Sequence, residues 1–94
     1  MTIQIKRFGE ILTSRTEGRE AGLLLLANEL RTSVKKIELD FAGVLVMTPS
    51  WLGELVNTLN EVEARSFSYL NVTNASVKAS VETTEGMPGS SSGS

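Results

Sequence analysis

The apolar positions of this chain change period most sharply between Lys36 and Leu59. Ile37, Leu39 and Phe41 alternate with Glu38 and Asp40, the period of two expected of an extended strand with one apolar face. Past Gly43 and the apolar residues 44–47, the pattern becomes Leu52, Leu55, Val56 and Leu59, which fall on one side of a helix. Thr48 and Pro49 stand where the period changes. Threonine suits the N-cap, and proline suits the first helical position, where its missing N–H has no partner to lose and its fixed φ matches the first turn. The helix is expected to end near Glu63 or Ala64.

Upstream, residues 2–6 place Ile3 and Ile5 on one side of a first strand. Gly9 then offers a turn, and Ile11 and Leu12 a second short strand, which together predict a hairpin. Ser14 and Glu17 have the S-x-x-E spacing of a capping box, with Thr16 as a competing cap. They open a helix over residues 17–31, whose Leu23, Leu26, Ala27 and Leu30 form a stripe that Leu24 and Leu25 broaden. Gly18 and Gly22 each weaken this helix by about 1 kcal/mol relative to alanine, and close packing or a backbone approach near Gly18 would explain the choice. Residues 66–73 carry Phe67, Tyr69, Leu70 and Val72, a strand apolar on both faces and so expected between neighbours and under helices. Asn74 caps a last helix through Val77 and Val81; with Ala79 the same residues also alternate like a strand.

The expected order is β-β-α-β-α-β-α: an α/β domain over residues 1–85, with a mixed four-stranded sheet and helices packed on one face. The incompletely covered face of so small a sheet invites a partner or a second copy. Residues 86–94, almost all Gly, Pro and Ser, bury too little to offset their ordering entropy and read as a disordered tail or a linker.

Composition narrows the chemistry. The chain has 94 residues, a formal charge of −2 and neither Cys nor His. Disulfide and thiolate chemistry are thereby excluded, and the usual neutral-pH base and commonest zinc ligand are missing. An enzyme is not expected, since no nucleophile and base of matched types occur together; nor is a cofactor. The net charge supplies no general attraction for nucleic acid or anionic membrane. The longest leucine run, residues 23–26, is far too short to span a bilayer, and no secretion signal follows Met1. A cytoplasmic protein is expected, so the two N-x-[ST] matches at Asn71 and Asn74 read as chance.

Leu39, Asp40, Phe41, Ala42 and Gly43, followed by Ser50, Trp51 and Leu52 with Glu54 nearby, resemble the signature of the STAS-like family of small bacterial domains of unknown function, and more distantly the STAS domain of anti-sigma-factor antagonists. Ser14 and Arg15 with Glu17 and Gly18 are similar to the Arg and Gly before that family's first helix. The resemblance spans residues 3–81 in order. It implies a curved mixed sheet with helices on one side and little chemistry; the partner expected for such a domain is a protein such as a regulatory kinase or ATPase. In STAS antagonists the helix after the central strand opens with Asp-Ser-Ser-Gly-Leu-Gly, and a partner kinase phosphorylates the first of those serines. Here Thr48, Pro49, Ser50, Trp51, Leu52 and Gly53 stand in register, with Pro49 in place of the phosphorylated serine.

The candidate site is therefore the corner made by Arg15, Thr48, Pro49, Ser50, Trp51 and Glu54. Hydroxyls at a helix start can cap the helix, hold an anion or accept a phosphate, because free N–H groups and the helix dipole favour negative charge. Arg15 is either a basic group beside that corner or the partner of Glu17 or Asp40. Trp51 is either an exposed anchor for a protein partner or part of the core. Glu38, Asp40 and Glu54 are too scattered to predict a metal site. The first expectation is a non-enzymatic docking domain, and the second a small anion- or nucleotide-binding module at the same helix start. A homodimer is expected separately from the uncovered sheet face or edge.

Overall fold

The computed structural model describes residues 1–30 and 33–86. Its elements are β1 (Thr2–Gln4), a 3-10 turn (Ile5–Phe8), β2 (Ile11–Leu12), α1 (Arg15–Asn28), β3 (Lys36–Asp40), β4 (Val46–Met47), α2 (Pro49–Asn60), β5 (Ser66–Leu70) and α3 (Ala75–Gly86). β3 lies in the middle of a three-stranded sheet, β1-β3-β5, and β2 and β4 form a separate two-stranded ladder. Both sheets are parallel throughout. The expected single four-stranded mixed sheet is thus replaced by three strands plus two.

The hairpin fails because the chain does not reverse after β1. Ile5 and Phe8 wind inward as one 3-10 turn, Ile5 fully buried and Phe8 against the core. Gly9, at φ +130, then releases the chain into β2. With α1 between β1 and β3, and α2 between β3 and β5, each pair of main-sheet strands has the long crossover that parallel pairing requires. Ile3, Ile37 and Leu39 are buried, while their alternating neighbours Thr2, Gln4, Lys36 and Glu38 are exposed. One sheet face therefore joins the helices in a single core, and the other is polar and, among the described residues, open. β5 departs from expectation: it is an edge strand, with Ser66 and Ser68 exposed.

α1 buries a face shifted from the leucine stripe. Gly18, Ala21, Gly22 and Leu25 face inward, Leu26 packs on the core and Leu30, just past the helix, is buried, whereas Leu23 and Leu24 are 45% and 56% exposed. The glycines decide this. A methyl group on Gly18 would overlap the Trp51 carbonyl oxygen and stand 3.0 Å from that residue's carbonyl carbon and Cα, and one on Gly22 would lie 2.8 Å from Thr58 Cβ and Cγ2. Only a face of small residues lets α2 come this close. α1 ends at Asn28, short of the expected limit at Arg31, which lies outside the described residues.

α2 begins where expected and ends at Asn60, three or four residues early. Asn60 Oδ1 accepts the Arg65 N–H at 2.9 Å, and the Arg65 guanidinium donates to Leu59 O and Val34 O. A buried cation thus satisfies a carbonyl at the negative end of α2. α3 follows the helical reading of its sequence, since Asn74 Oδ1 accepts the Val77 N–H at 2.9 Å, and Val77 and Val81 are buried. Gly86, expected in the tail, is the last residue of α3; residues 87–94 of that tail lie outside the described residues.

Candidate functional site

The corner is built from two similar units laid side by side. β2 leads through Ser14 into α1, and β4 leads through Thr48 into α2; the strands pair with Ile11 opposite Val46 and Leu12 opposite Met47. The pairing runs on into the caps. Thr48 N–H donates to Leu12 O at 3.0 Å, and the Thr48 hydroxyl donates to Thr13 O at 3.2 Å while accepting the Trp51 N–H at 3.3 Å. Ser14 Oγ accepts the Glu17 N–H at 3.2 Å. Together with the Gly18 and Trp51 approach, these bonds set the first turns of α1 and α2 against each other, so two positive helix ends share one corner.

β4 is held on its other side by α3. The Met47 N–H donates to Ser76 Oγ at 2.9 Å, and the hydroxyls of Ser76 and Ser80 both donate to Met47 O. Asn74 Nδ2 donates to Val44 O. Serine side chains here do what a further strand would do, which closes the edge of β4. No pattern in the sequence marks these serines as strand partners, because their role depends on where α3 packs.

The predicted site residues separate into three groups. Arg15 and Ser50 are exposed in equivalent first turns, with Pro49 half-buried between them and the core. Among the described residues no ion pair includes Arg15; Asp40, one of its expected partners, is bonded instead by Asn71, Ala42 and Gln4. The Thr48 hydroxyl is engaged as a cap on both its donor and acceptor sides. Trp51 is 1% exposed and packs on Phe8 with ring centroids 6.0 Å apart. It supports the corner from beneath and offers no surface to a partner, which corrects its reading as an exposed anchor.

Glu54, half-buried on α2, belongs to a different neighbourhood. Arg19 on α1 bonds Glu61 at 2.9 Å, and the hydrogen bond and charge of Glu61, with a smaller contribution from Glu54, hold the Arg19 guanidinium more firmly protonated. Asp40 sits at the end of β3 on the open face. Hydrogen bonds from the Asn71 amide, the Ala42 N–H and the Gln4 amide hold its carboxyl below the usual aspartate value. Among the described residues no three acidic side chains converge on a point that would hold a metal ion.

What the sequence leaves unmarked is the apolar surface beside the corner. Ile11 and Val46, paired across β2 and β4, are 65% and 42% exposed, and the adjoining Leu45 is 59% exposed. Leu45 N–H and Val46 N–H both donate to Glu10 O, which fixes the patch directly below the two helix starts. Among the described residues no helix is long and apolar enough to cross a membrane. Comparison with family models, with curated proteins and with solved structures finds no match to this chain.

Proposed function

We propose that this is a non-enzymatic regulatory domain of the STAS-like kind that docks a protein partner through the shared helix corner. The observation that carries the reading is the juxtaposition at Thr48: its bond to Thr13 O brings the exposed Ser50 and the cation Arg15, which no ion pair includes among the described residues, beside the apolar residues Ile11, Leu45 and Val46. An apolar patch next to a cation and two positive helix ends suits a segment that combines apolar and acidic side chains. The anion-binding alternative is the weaker of the two, since the Thr48 hydroxyl is already engaged at both ends.

The test is affinity capture with the wild-type domain, followed by direct binding measurements on the captured protein with Arg15→Glu, Ser50→Glu and Val46→Lys variants. Each substitutes an exposed side chain and is expected to keep the wild-type melting temperature. Binding reduced at least tenfold in all three supports the corner. Unchanged binding in all three removes it. Trp51→Ala is no surface probe, because emptying that buried site costs about 3–5 kcal/mol of stability. A thermal shift with nucleotides or inorganic phosphate, together with no captured partner, would favour the alternative.

A further inference from the structure

β5 is an edge strand of unusual character. It has β3 on one side and, among the described residues, no strand on the other. Its sequence, Ser-Phe-Ser-Tyr-Leu, contains no charge and no proline, the two common devices that keep an edge from pairing with another chain. The opposite edge, β1, has only three residues and ends in the 3-10 turn.

The backbone of β5 shows which groups face outward. Ser66 N–H donates to Lys35 O and Leu70 O accepts the Phe41 N–H, so residues 66 and 70 turn their polar groups toward β3. Alternation gives Ser68 the same direction and leaves the N–H and C=O groups of Phe67 and Tyr69 on the open edge. Their side chains lie half-buried on the helix-covered face, packed against the core, while Ser66 and Ser68 are exposed on the polar face.

We propose that this edge is a self-association surface, on which two copies of the chain join β5 to β5 in antiparallel sense about a twofold axis at Ser68. In that register Phe67 of one copy stands opposite Tyr69 of the other. Both present outward N–H and C=O groups, so the two symmetric pairs form four backbone hydrogen bonds. The same pairs place aromatic side chains opposite each other on the core side, a favourable cross-strand combination. Ser68 faces its own copy on the polar face, and no like charges meet anywhere along the strand. A register slipped by one residue would set inward-turned groups against outward-turned ones. The second copy is preferred over an unrelated peptide because the strand brings its own aromatic partner to each outward-facing pair and meets its copy with no charge on either side. The left-handed Asn71, at φ 56, ends the strand just beyond the paired segment. This surface is separate from the helix corner and does not depend on its role.

The expected assembly is a weak dimer, since one strand pair is a small interface, with half-dissociation at about 100 μM. Sedimentation velocity on the intact chain up to about 1 mM should show a concentration-dependent monomer to dimer shift. Ser68→Lys, on an exposed side chain, should weaken dimerisation at least tenfold with an unchanged melting temperature, because two ammonium groups then face each other. Ser68→Cys supplies a direct readout in a chain that has no other thiol. Residues facing each other in a non-hydrogen-bonded pair have Cα atoms about 4.5 Å apart, within reach of a disulfide. Ser66→Cys, on the same face, would stand roughly 13 Å from its copy and serves as the control. Rapid oxidative crosslinking of Ser68→Cys with little of Ser66→Cys is the expected result. A chain that stays monomeric across the series, a dimer indifferent to Ser68→Lys, or equal crosslinking of the two cysteine variants overturns the proposal.

Discussion

Gly18→Ala tests how α1 meets α2. Alanine is the better helix former by about 1 kcal/mol, so on an exposed helix the substitution would stabilise. At this position the added methyl would stand 3.0 Å from the Trp51 carbonyl carbon and Cα, against the 3.4 Å at which ordinary contact begins, and closer still to the carbonyl oxygen. Those atoms are backbone within α2 and have no rotamer to change. The helices must therefore move apart, which loosens the contacts of Ala21, Leu25, Leu52 and Leu55, all buried in the same core. Overpacking typically costs 1–3 kcal/mol, and a wall of backbone belongs at the upper end. Subtracting the propensity gain leaves a net loss of about 2 kcal/mol, or about 8–16 °C in melting temperature for a domain of this size. Urea denaturation followed by Trp51 fluorescence suits the purpose, because the only tryptophan is buried at the contact itself. Gly22→Ala should destabilise less, since its methyl meets a side chain, that of Thr58, at 2.8 Å. A Gly18→Ala protein as stable as wild type would refute the close approach and the helix packing built on it.

Other outcomes follow from individual groups. Thr58 Oγ1 is buried with no hydrogen-bond partner among the described residues, so Thr58→Val should be neutral or stabilising by about 1 kcal/mol; a clear loss in urea denaturation would mean the hydroxyl is bonded after all. Ser76→Ala removes the acceptor for the Met47 N–H and should cost about 1–3 kcal/mol, whereas unchanged stability would show that the serine does not hold β4. Burial, with the charge of Glu85 adding to it, pushes the Tyr69 phenol up to about 12 from 10.0. The native state thus keeps a proton that the unfolded chain gives up near pH 10, so stability from this group is full below pH 10 and falls as pH rises toward 12. Ultraviolet titration of the phenolate, with a midpoint near 10 as the contrary result, checks this. The Asp40 carboxyl should titrate below 3.8 in a carboxyl-carbon NMR experiment; its hydrogen bonds favour the ionised form, so their stabilisation is present above the unfolded value and is lost as pH falls through the lower folded one.

The sequence by itself determined the elements whose signals are local. The strand at Ile37 and Leu39, the cap at Thr48 with Pro49 behind it, and the cap at Asn74 each depend on a few adjacent residues, and each stands where the period or the capping chemistry places it. The close approach at Gly18 was legible too, because a helix gains nothing from glycine unless another backbone needs the space. Tertiary structure alone decided which face of α1 turns inward. Two leucines at 23 and 24 outweigh two glycines in any count of hydrophobicity, yet the glycine face permits the nearer approach, and the leucines are left at the surface. The pairing of strands was equally hidden: residues 11 and 12 read the same whether they fold back on β1 or lie beside β4, since two residues carry no register and the choice depends on where Ile5 and Phe8 are buried. The corner was legible in its capping residues, whereas its apolar rim of Ile11, Leu45 and Val46 and the burial of Trp51 were not, because exposure is settled by packing between segments distant in the chain.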